Sequence, residues 1–205
     1  MQQQQNAQVR EPVPAATVVL ARQADSGDGI EVLLLRRSAR LVFHGGHWVF
    51  PGGRIDSGDF GGEAEAGQLY SAARKAAIRE TREETGLEID ADQLIHVGHW
   101  TTPPGLPRRF STWFFVCPVS RQARVKIDQD EITDYRWLSP RQALQDAREE
   151  KLVLPRPTRV TLSDIGVYEN LADLEQGLRN CRIRVFPPDS DHYRPAEMGC
   201  PAKAG

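Results

Sequence analysis

The chain has 205 residues, of which 40% are hydrophobic, and this is enough to bury the core of one domain with short tails. Its 26 basic and 28 acidic residues are interspersed and give a formal net charge of −2, which disfavours a nucleic-acid polymer as a partner. Three cysteines without CxxC or zinc-type spacing predict reduced thiols and a cytoplasmic location.

The amino-terminal part of the chain predicts a tail followed by a hairpin. Residues 1–14 are rich in Gln and contain no apolar run, so we expect a disordered tail without a signal peptide or a membrane span. Two β-branched and aliphatic runs, 15–21 and 31–36, flank a turn-forming cluster at 25–29, and this pattern predicts a β-hairpin. We expect a single domain over residues 15–180.

The hairpin leads into an irregular stretch that ends in two glycines, Gly52 and Gly53, which permit close approach of the backbone. Arg37, at the end of the second strand, is a candidate for binding a phosphate, because a guanidinium group matches phosphate oxygens. A solvated strand end is the alternative. His44 and His47 are interpreted as hydrogen-bonding loop residues, since neither a cysteine nor a third histidine accompanies them as a metal ligand.

A helix is predicted from about Ser71 to Gly86, which has the position of a left-handed carboxyl-terminal cap. At about 100° per residue, three carboxylates share one sector of this helix with two alanines, and the core-facing residues lie elsewhere. The sector contains Glu80, Glu83, Glu84, Ala73 and Ala76, whereas Ala77, Ile78, Thr81 and Thr85 point away from it. Oxygen-only clusters suit hard cations such as Mg²⁺, so this face is a candidate metal site, with a solvated acidic face as the alternative.

The run from Arg79 to Leu87, RETREETGL, resembles the box of the Nudix hydrolase family. That box reads G, five residues, E, seven residues, R-E-U-x-E-E-x-G-U, where U is bulky and apolar. Thr81 stands at a U position, and Asp59, six residues after Gly53, stands where the family has Glu. Nineteen residues rather than seven separate Asp59 from Arg79, and we expect the extra residues to loop out over 60–70.

The resemblance implies a Nudix-type α/β/α sandwich with a mixed β-sheet and hydrolysis of a diphosphate linkage. It also implies Mg²⁺ or Mn²⁺ as the cofactor. The implied metal ligands are Glu80, Glu83, Glu84 and the carbonyl of Gly52. Arg79 is expected to orient these carboxylates. The base that deprotonates water is either one of these glutamates or Glu131, in an acidic loop where Asp128 and Asp130 are alternatives.

Two further stretches resemble coenzyme A diphosphatases within the family. The first is Leu33 to Ser38 followed by Gly46 and by the run 50–53, with Leu35 in place of a threonine and Val42 in place of an arginine. The second is a Trp-Thr-Pro corner at 100–104 followed by a strand at 108–116, which resembles a subgroup with a long box insertion. Arg109, or its neighbour Arg108, could meet a diphosphate there. The aromatic residues Trp100, Phe110 and Trp113 either stack on a base or pack in the core.

The rest of the chain is predicted from local signals. Extended structure resumes over 87–89 and 94–97, and 135–138 predicts another strand. Ser139, as an N-cap before a proline, opens a helix to about Glu150. Residues 158–164 and 171–178 are helical candidates. The segment 181–205, which is rich in Pro, Asp and Gly from Phe186 onward, is predicted to be a mobile tail, and its last twenty residues are either mobile or ordered by a partner.

The expected substrate is a small nucleotide conjugate, with coenzyme A or an acyl derivative ahead of ADP-ribose, NADH and other nucleoside diphosphate conjugates. Two alternatives come from other classes. One is a Nudix-fold module that senses a nucleotide without cleaving it, and the other is a structural protein that uses the acidic helix as a partner surface. The resemblance also implies a homodimer, which is common in the family. No membrane partner is expected.

Overall fold

The computed structural model describes residues 10–24, 27, 29–41, 44–62 and 66–201. Its strands are β1 Val13–Gln23, β2 Ile30–Arg37, β3 Trp48–Val49, β4 Gly52–Arg54, β5 Ile95–Thr101, β6 Phe110–Pro118, β7 Ile132–Leu138 and β8 Arg184–Phe186. Its α-helices are α1 Ser57–Phe60, α2 Leu69–Thr85, α3 Pro140–Arg148, α4 Arg156–Ile165 and α5 Leu171–Asn180, and short 3₁₀ turns lie at Ala66–Gln68 and Ala91–Gln93.

The described strands form one mixed sheet. Its order is β3-β2-β1-β6-β5-β8, with β4 paired to β1 and β7 paired to β2. β1 and β2 are antiparallel, which confirms the predicted hairpin, while β1 and β6 run parallel from the Val13–Phe110 pair to the Ala21–Pro118 pair. Such a parallel pair needs a crossover, and α2 lies within this one. The predicted α/β class with a mixed sheet is therefore confirmed.

Helices cover both faces of the sheet because neighbouring residues of each strand point to opposite sides. On one face Val19, Val32, Leu34, Phe114 and Val116 pack with the apolar residues of α3, α4 and α5. On the other face Val18, Leu20, Leu33, Trp113 and Phe115 pack with the alanines of α2. Both faces are consequently apolar, which explains why the strands read as continuous hydrophobic runs rather than as alternating patterns.

The packing of α2 differs from the prediction of separate acidic and core faces. Ala73 and Ala76 are fully buried, and Glu84 in the same sector is buried as well. The reason is that small side chains let the helix lie close to the sheet, so its last turn reaches β4. Thr81 and Thr85 are also buried, and their hydroxyls donate to the carbonyls four residues earlier. Thr81 can therefore stand at a position where the box has a bulky apolar residue, because its buried hydroxyl is hydrogen-bonded.

The carboxyl-terminal segment differs from the predicted mobile tail, because most of its described part packs on the domain. β8 pairs in parallel with β5, and the N–H of Tyr70 donates to the carbonyl of Met198 at 2.9 Å. The ring of Tyr193 stacks on His99 with the centroids 4.6 Å apart. Residues 202–205 lie outside the described residues, as do 1–9 of the predicted amino-terminal tail, whereas Val13 already belongs to β1.

The amino-terminal cap of α3 confirms the prediction from Ser139 and Pro140. The Ser139 hydroxyl accepts a hydrogen bond from the N–H of Gln142 at 3.1 Å, and Pro140 occupies the first turn. Helices α4 and α5 also form where they were predicted. Among the described residues, none of the helices combines the length and apolar composition that crossing a membrane requires.

Replacing Ser139 with Ala should lower the free energy of unfolding by about 1 kcal/mol, because the N–H of Gln142 then loses its acceptor. Urea unfolding followed by circular dichroism measures this change. Ser163→Ala is the matched control, since Ser163 is exposed inside α4 and the same chemical change there removes no cap. An equal loss in the two variants would contradict the assigned cap.

Candidate active site

Gly52 and Gly53 bring the backbone of β4 against two different neighbours. A Cβ atom at Gly52 would lie 2.7 Å from the Cα of Thr17, so β4 approaches β1 more closely than any other residue allows. Gly52 has φ of 155°, which side chains also disfavour. At Gly53 a Cβ atom would overlap the carboxylate of Glu80. The two glycines therefore place the end of α2 directly beside the sheet.

Glu84 is the buried carboxylate of the site. Its side chain accepts a hydrogen bond from the N–H of Gly52, with 2.9 Å between Oε2 and the nitrogen. Burial raises the pKa of Glu84 to about 8, and the charges of Glu80 and Glu131 act in the same direction. The Gly52 N–H and the charge of Arg37 oppose this increase. Glu84 thus anchors α2 to the glycine pair, and near neutral pH a bound cation would favour its ionised form by offsetting the cost of burial.

Arg79 lies at the centre of the remaining carboxylates. Its guanidinium donates to both oxygens of Asp59 at 3.2 and 3.0 Å, to Glu80 at 2.8 Å and to Glu83 at 3.2 Å. It also donates to the carbonyl of Arg54 at 3.0 Å. Hydrogen bonding to Asp59 raises the pKa of Arg79, so the guanidinium stays charged. Burial raises the pKa of Glu80, whereas the hydrogen bond from Arg79 lowers it.

The structure brings Asp59 to Arg79 although nineteen residues separate them in the sequence. The short helix α1 makes this contact possible, because its capping residue Asp56 donates its N–H to Asp59 at 2.8 Å and fixes the aspartate. The side chain of Asp59 is only 6% exposed. Asp59 was absent from the predicted site residues, although its position six residues after Gly53 was a signal for it.

Arg37 and Glu131 both lie within electrostatic reach of Glu84. The charge of Arg37 lowers the pKa of Glu84 and the charge of Glu131 raises it. The carbonyl of Glu131 accepts from the N–H of Ser38 at 2.7 Å, which joins the acidic loop to the end of β2. Asp128 instead accepts from backbone N–H groups within its own loop and serves as a turn former.

Arg109, which was predicted to bind substrate, lies inside the fold. It is buried, and its guanidinium donates to the backbone carbonyls of Thr102 and Arg10 at 3.0 and 2.6 Å. Two predicted stacking residues are also in the core, because Trp113 is fully buried and Trp100 stacks on Phe186. The structure therefore places these side chains in the packing of the fold itself. Val42, which replaces a signature arginine, lies outside the described residues.

The chemistry of the donor set fits a hard divalent cation, because Glu80, Glu83 and Glu84 offer carboxylate oxygens alone. Within the described part of the chain, however, no three His, Cys, Asp or Glu residues form a group arranged to hold a metal ion. Arg79 binds Glu80 and Glu83, while Glu84 binds the N–H of Gly52. The carboxylates are therefore neighbours that are held by protein donors. The proposed ligand role of the Gly52 carbonyl stays a prediction.

Gly53→Ala should lower turnover by at least about tenfold while the protein stays folded, because the new methyl group displaces only the flexible end of Glu80. Turnover and the unfolding temperature of the purified variant measure the two effects. Gly58→Ala is the control, since a Cβ atom there meets no neighbour within 4 Å. Wild-type turnover in Gly53→Ala would show that Glu80 does not need its observed position.

Comparison with known proteins shows which family this chain resembles. A family model described as NUDIX domain matches residues 11–156. The crystal structure of a NUDIX hydrolase from Alicyclobacillus acidocaldarius superposes with a TM-score of 0.72 at 25% identity, covering 81% of this chain and 96% of the other.

Two relatives carry more specific names. An acyl-coenzyme A diphosphatase of Xenopus laevis is 24% identical, over 80% of this chain and 67% of its own length. A peroxisomal coenzyme A diphosphatase of Caenorhabditis elegans is 28% identical, over 68% of this chain and 54% of its own length. The matches thus span about half to two thirds of these relatives. Because the domain match covers most of the chain, the protein belongs to the family of proteins that contain a NUDIX domain.

Proposed function

We propose that the protein is a divalent-metal-dependent hydrolase that cleaves a diphosphate linkage in a small nucleotide-type conjugate. The observation that carries this proposal is the network in which Arg79 binds Asp59, Glu80 and Glu83 while Glu84 lies buried beside Gly52. Carboxylates that repel one another are assembled near one end of the helix, and such an arrangement costs stability that the pairs with Arg79 offset only in part. A purely structural helix would not require it.

The residues of the site have distinct roles in this proposal. Glu80, Glu83 and Glu84, with the carbonyl of Gly52, would hold Mg²⁺ or Mn²⁺, which supplies positive charge for the phosphate oxygens. Arg79 keeps the carboxylates in place through Asp59. Water adds to one phosphorus, the bond from that phosphorus to the bridging oxygen breaks, and two phosphate-containing fragments leave. The proton of the water goes to a glutamate of the helix or to Glu131.

Coenzyme A or an acyl derivative is the proposed substrate. Two relatives are named as diphosphatases of these compounds. The sequence from Leu33 to Gly53 also resembles the signature of coenzyme A diphosphatases, except at Leu35 and Val42. Arg37 supports the proposal because its Nε is buried and has no hydrogen-bond partner among the described residues. An incoming phosphate oxygen would satisfy it. A homodimer and a cytoplasmic location stay predictions from the sequence.

The test is a panel of coenzyme A, acetyl-coenzyme A, ADP-ribose, NADH and nucleoside triphosphates, incubated with Mg²⁺ or Mn²⁺ and analysed for products. Release of 4′-phosphopantetheine from coenzyme A, lost in the Glu84→Gln variant, supports both the reaction and the substrate. Cleavage of another conjugate keeps the reaction and replaces the substrate. If nothing is cleaved but one compound raises the unfolding temperature, the protein is a sensing module rather than an enzyme.

A further inference from the structure

The carboxyl-terminal segment crosses the start of helix α2. The N–H of Tyr70, in the first turn of α2, donates to the carbonyl of Met198 at 2.9 Å. Among the described residues, the capping position of α2 gives this turn no hydrogen bond through its side chain. The first N–H groups of a helix need acceptors from outside the helix. The segment 190–200, which we call the carboxyl-terminal strap, therefore provides part of the cap of α2.

The strap and the start of α2 contact the same aromatic residues of the sheet. The ring of Tyr193 stacks on the fully buried His99, with 4.6 Å between the centroids. The rings of Tyr70 and Tyr193 both lie beside His96, at centroid distances of 5.5 and 6.0 Å. The strap is therefore fixed to the sheet at the place where α2 begins.

The end of the strap packs against the residues that precede α2. A Cβ atom at Gly199 would overlap the carbonyl oxygen of Gly67, and the φ of Gly199 is 74°. Within the strap, the N–H of Met198 donates to the carbonyl of Arg194 at 3.0 Å. The carbonyl that accepts from α2 thus belongs to a hydrogen-bonded turn with a defined position.

Helix α2 needs a fixed position along its axis, because a Cβ atom at Gly53 would already overlap the carboxylate of Glu80. The sheet-facing side of α2 contains four buried alanines between residues 72 and 77. Such short side chains form shallow ridges, which interlock with the sheet less than large ones do. Tyr70 lies about 15 Å from Glu80 along the helix, which moves as a stiff rod. A shift at the start of α2 therefore displaces the carboxylates near its end.

We propose that the carboxyl-terminal strap positions α2 so that its carboxylates are aligned for hydrolysis of the diphosphate. This inference rests on the proposed function and adds a positioning element that lies outside the box. The hydrogen bond from Gly52 to Glu84 is a second anchor of α2, but a metal ion bound by Glu84 would weaken it. The bond from Tyr70 to Met198 involves no carboxylate, so a metal ion does not compete with it.

Two pairs of variants test the strap. Gly199→Ala forces the strap away from the residues before α2. Its control is Gly105→Ala, which adds the same methyl group at a residue with φ of 91° whose Cβ atom meets no neighbour within 4 Å. Tyr193→Ala removes the ring that stacks on the sheet, and Tyr193→Phe keeps it. The readouts are kcat and KM for the conjugate that the wild type cleaves, and the hydrogen exchange rates of the backbone amides of α2.

Gly199→Ala and Tyr193→Ala should each lower kcat by about tenfold or more, because the carboxylates are misplaced, while KM changes by less than about threefold. The amide of Tyr70 should exchange at least about tenfold faster. The N–H of Gly86, which donates to Arg82 at the other end of α2, should keep its exchange rate and so shows that the protein remains folded. Both control variants should stay within about threefold of wild type.

Faster exchange at Tyr70 with an unchanged kcat would overturn the inference, because the strap would then stabilise the fold alone, while the proposed function stands. Unchanged exchange at Tyr70 in both Gly199→Ala and Tyr193→Ala would overturn it as well. If Gly199→Ala unfolds the protein, the second pair decides, and an equal kcat of Tyr193→Ala and Tyr193→Phe contradicts the inference. A wild-type protein that cleaves no conjugate overturns the proposed function and this inference with it.

Discussion

Glu84→Gln should stabilise the metal-free protein at neutral and alkaline pH. Burial raises the pKa of Glu84 to about 8 from an ordinary value of 4.5. Between these values the folded protein retains a proton that the unfolded chain has released, so the free energy of unfolding decreases as the pH rises. Below pH 4.5 Glu84 is protonated in both states, so its burial costs no stability through ionisation. Above pH 8 it is ionised in both states, so this cost no longer changes with pH.

Glutamine avoids this penalty because its amide does not ionise, and its oxygen can still accept the hydrogen bond from the N–H of Gly52. The gain in the free energy of unfolding should therefore grow by up to about 1.4 kcal/mol per pH unit between these limits and then level off. Urea unfolding in the presence of EDTA, from about pH 5 to about pH 9, measures it. A variant that is less stable than wild type at the alkaline end would show that the buried carboxylate is not the source of instability.

The same substitution should reduce turnover by at least about a hundredfold, within the range seen when one electrostatic group is removed from an active site. Mg²⁺ should stabilise the wild type more than the variant, because a ligand that binds the folded state more tightly stabilises it more at the same concentration. Glu83→Gln is the matched control. The side chain of Glu83 is 58% exposed, so we expect a loss of turnover without the pH-dependent gain in stability. Full activity in both variants would remove the carboxylates from the proposed site.

The elements that the sequence predicted best depend on local signals. The hairpin, the cap at Ser139 and the left-handed Gly86, with φ of 68°, each follow from residues within one or two turns of each other. The carboxylates of α2 were found in the same way, because their spacing along one helix is visible in the chain. Local patterns also sufficed for the strand at 135–138, which lies within β7.

The remaining features depend on what lies opposite in space. Glu84 and Glu83 are adjacent in the sequence, yet only Glu84 meets the sheet, because β4 passes on that side of the helix. From the sequence, Arg109 has the position of an exposed cation at the start of a strand. In the fold, its guanidinium donates to the backbone carbonyl of Arg10. The packing of the segment after residue 181 depends on contacts with residues about a hundred positions earlier, such as Tyr193 with His99. No local pattern contains such information.

Arg79→Ala should lower both stability and activity, because it removes the partner of several carboxylates at once. Asp59 is almost fully buried, and without Arg79 its charge would lack its only described cationic partner at short range. We expect the free energy of unfolding to fall by about 2–3 kcal/mol, less than for a fully buried pair, because the side chain of Arg79 is 29% exposed. Arg79→Lys should be intermediate, since an ammonium group cannot reproduce the planar fork.

The turnover of Arg79→Ala should fall by at least about a hundredfold, because Glu80 and Glu83 lose the group that holds them. Arg82→Ala is the control on the same helix. Arg82 pairs with Glu88 at 3.1 Å, but both side chains are about 70% exposed, so its loss should change stability by less than about 0.5 kcal/mol. Equal effects of the two substitutions would contradict a special role for Arg79.

The double variant Arg79→Ala with Asp59→Asn separates stability from catalysis. Neutral asparagine removes the unpaired buried charge, so most of the lost stability should return, while turnover should stay low because Glu80 and Glu83 are still unsupported. Urea unfolding and turnover of the four proteins in this cycle measure the coupling between Asp59 and Arg79. If the double variant regains turnover together with stability, Arg79 acts only through the fold. If it regains stability alone, Arg79 positions the carboxylates that the proposed reaction requires.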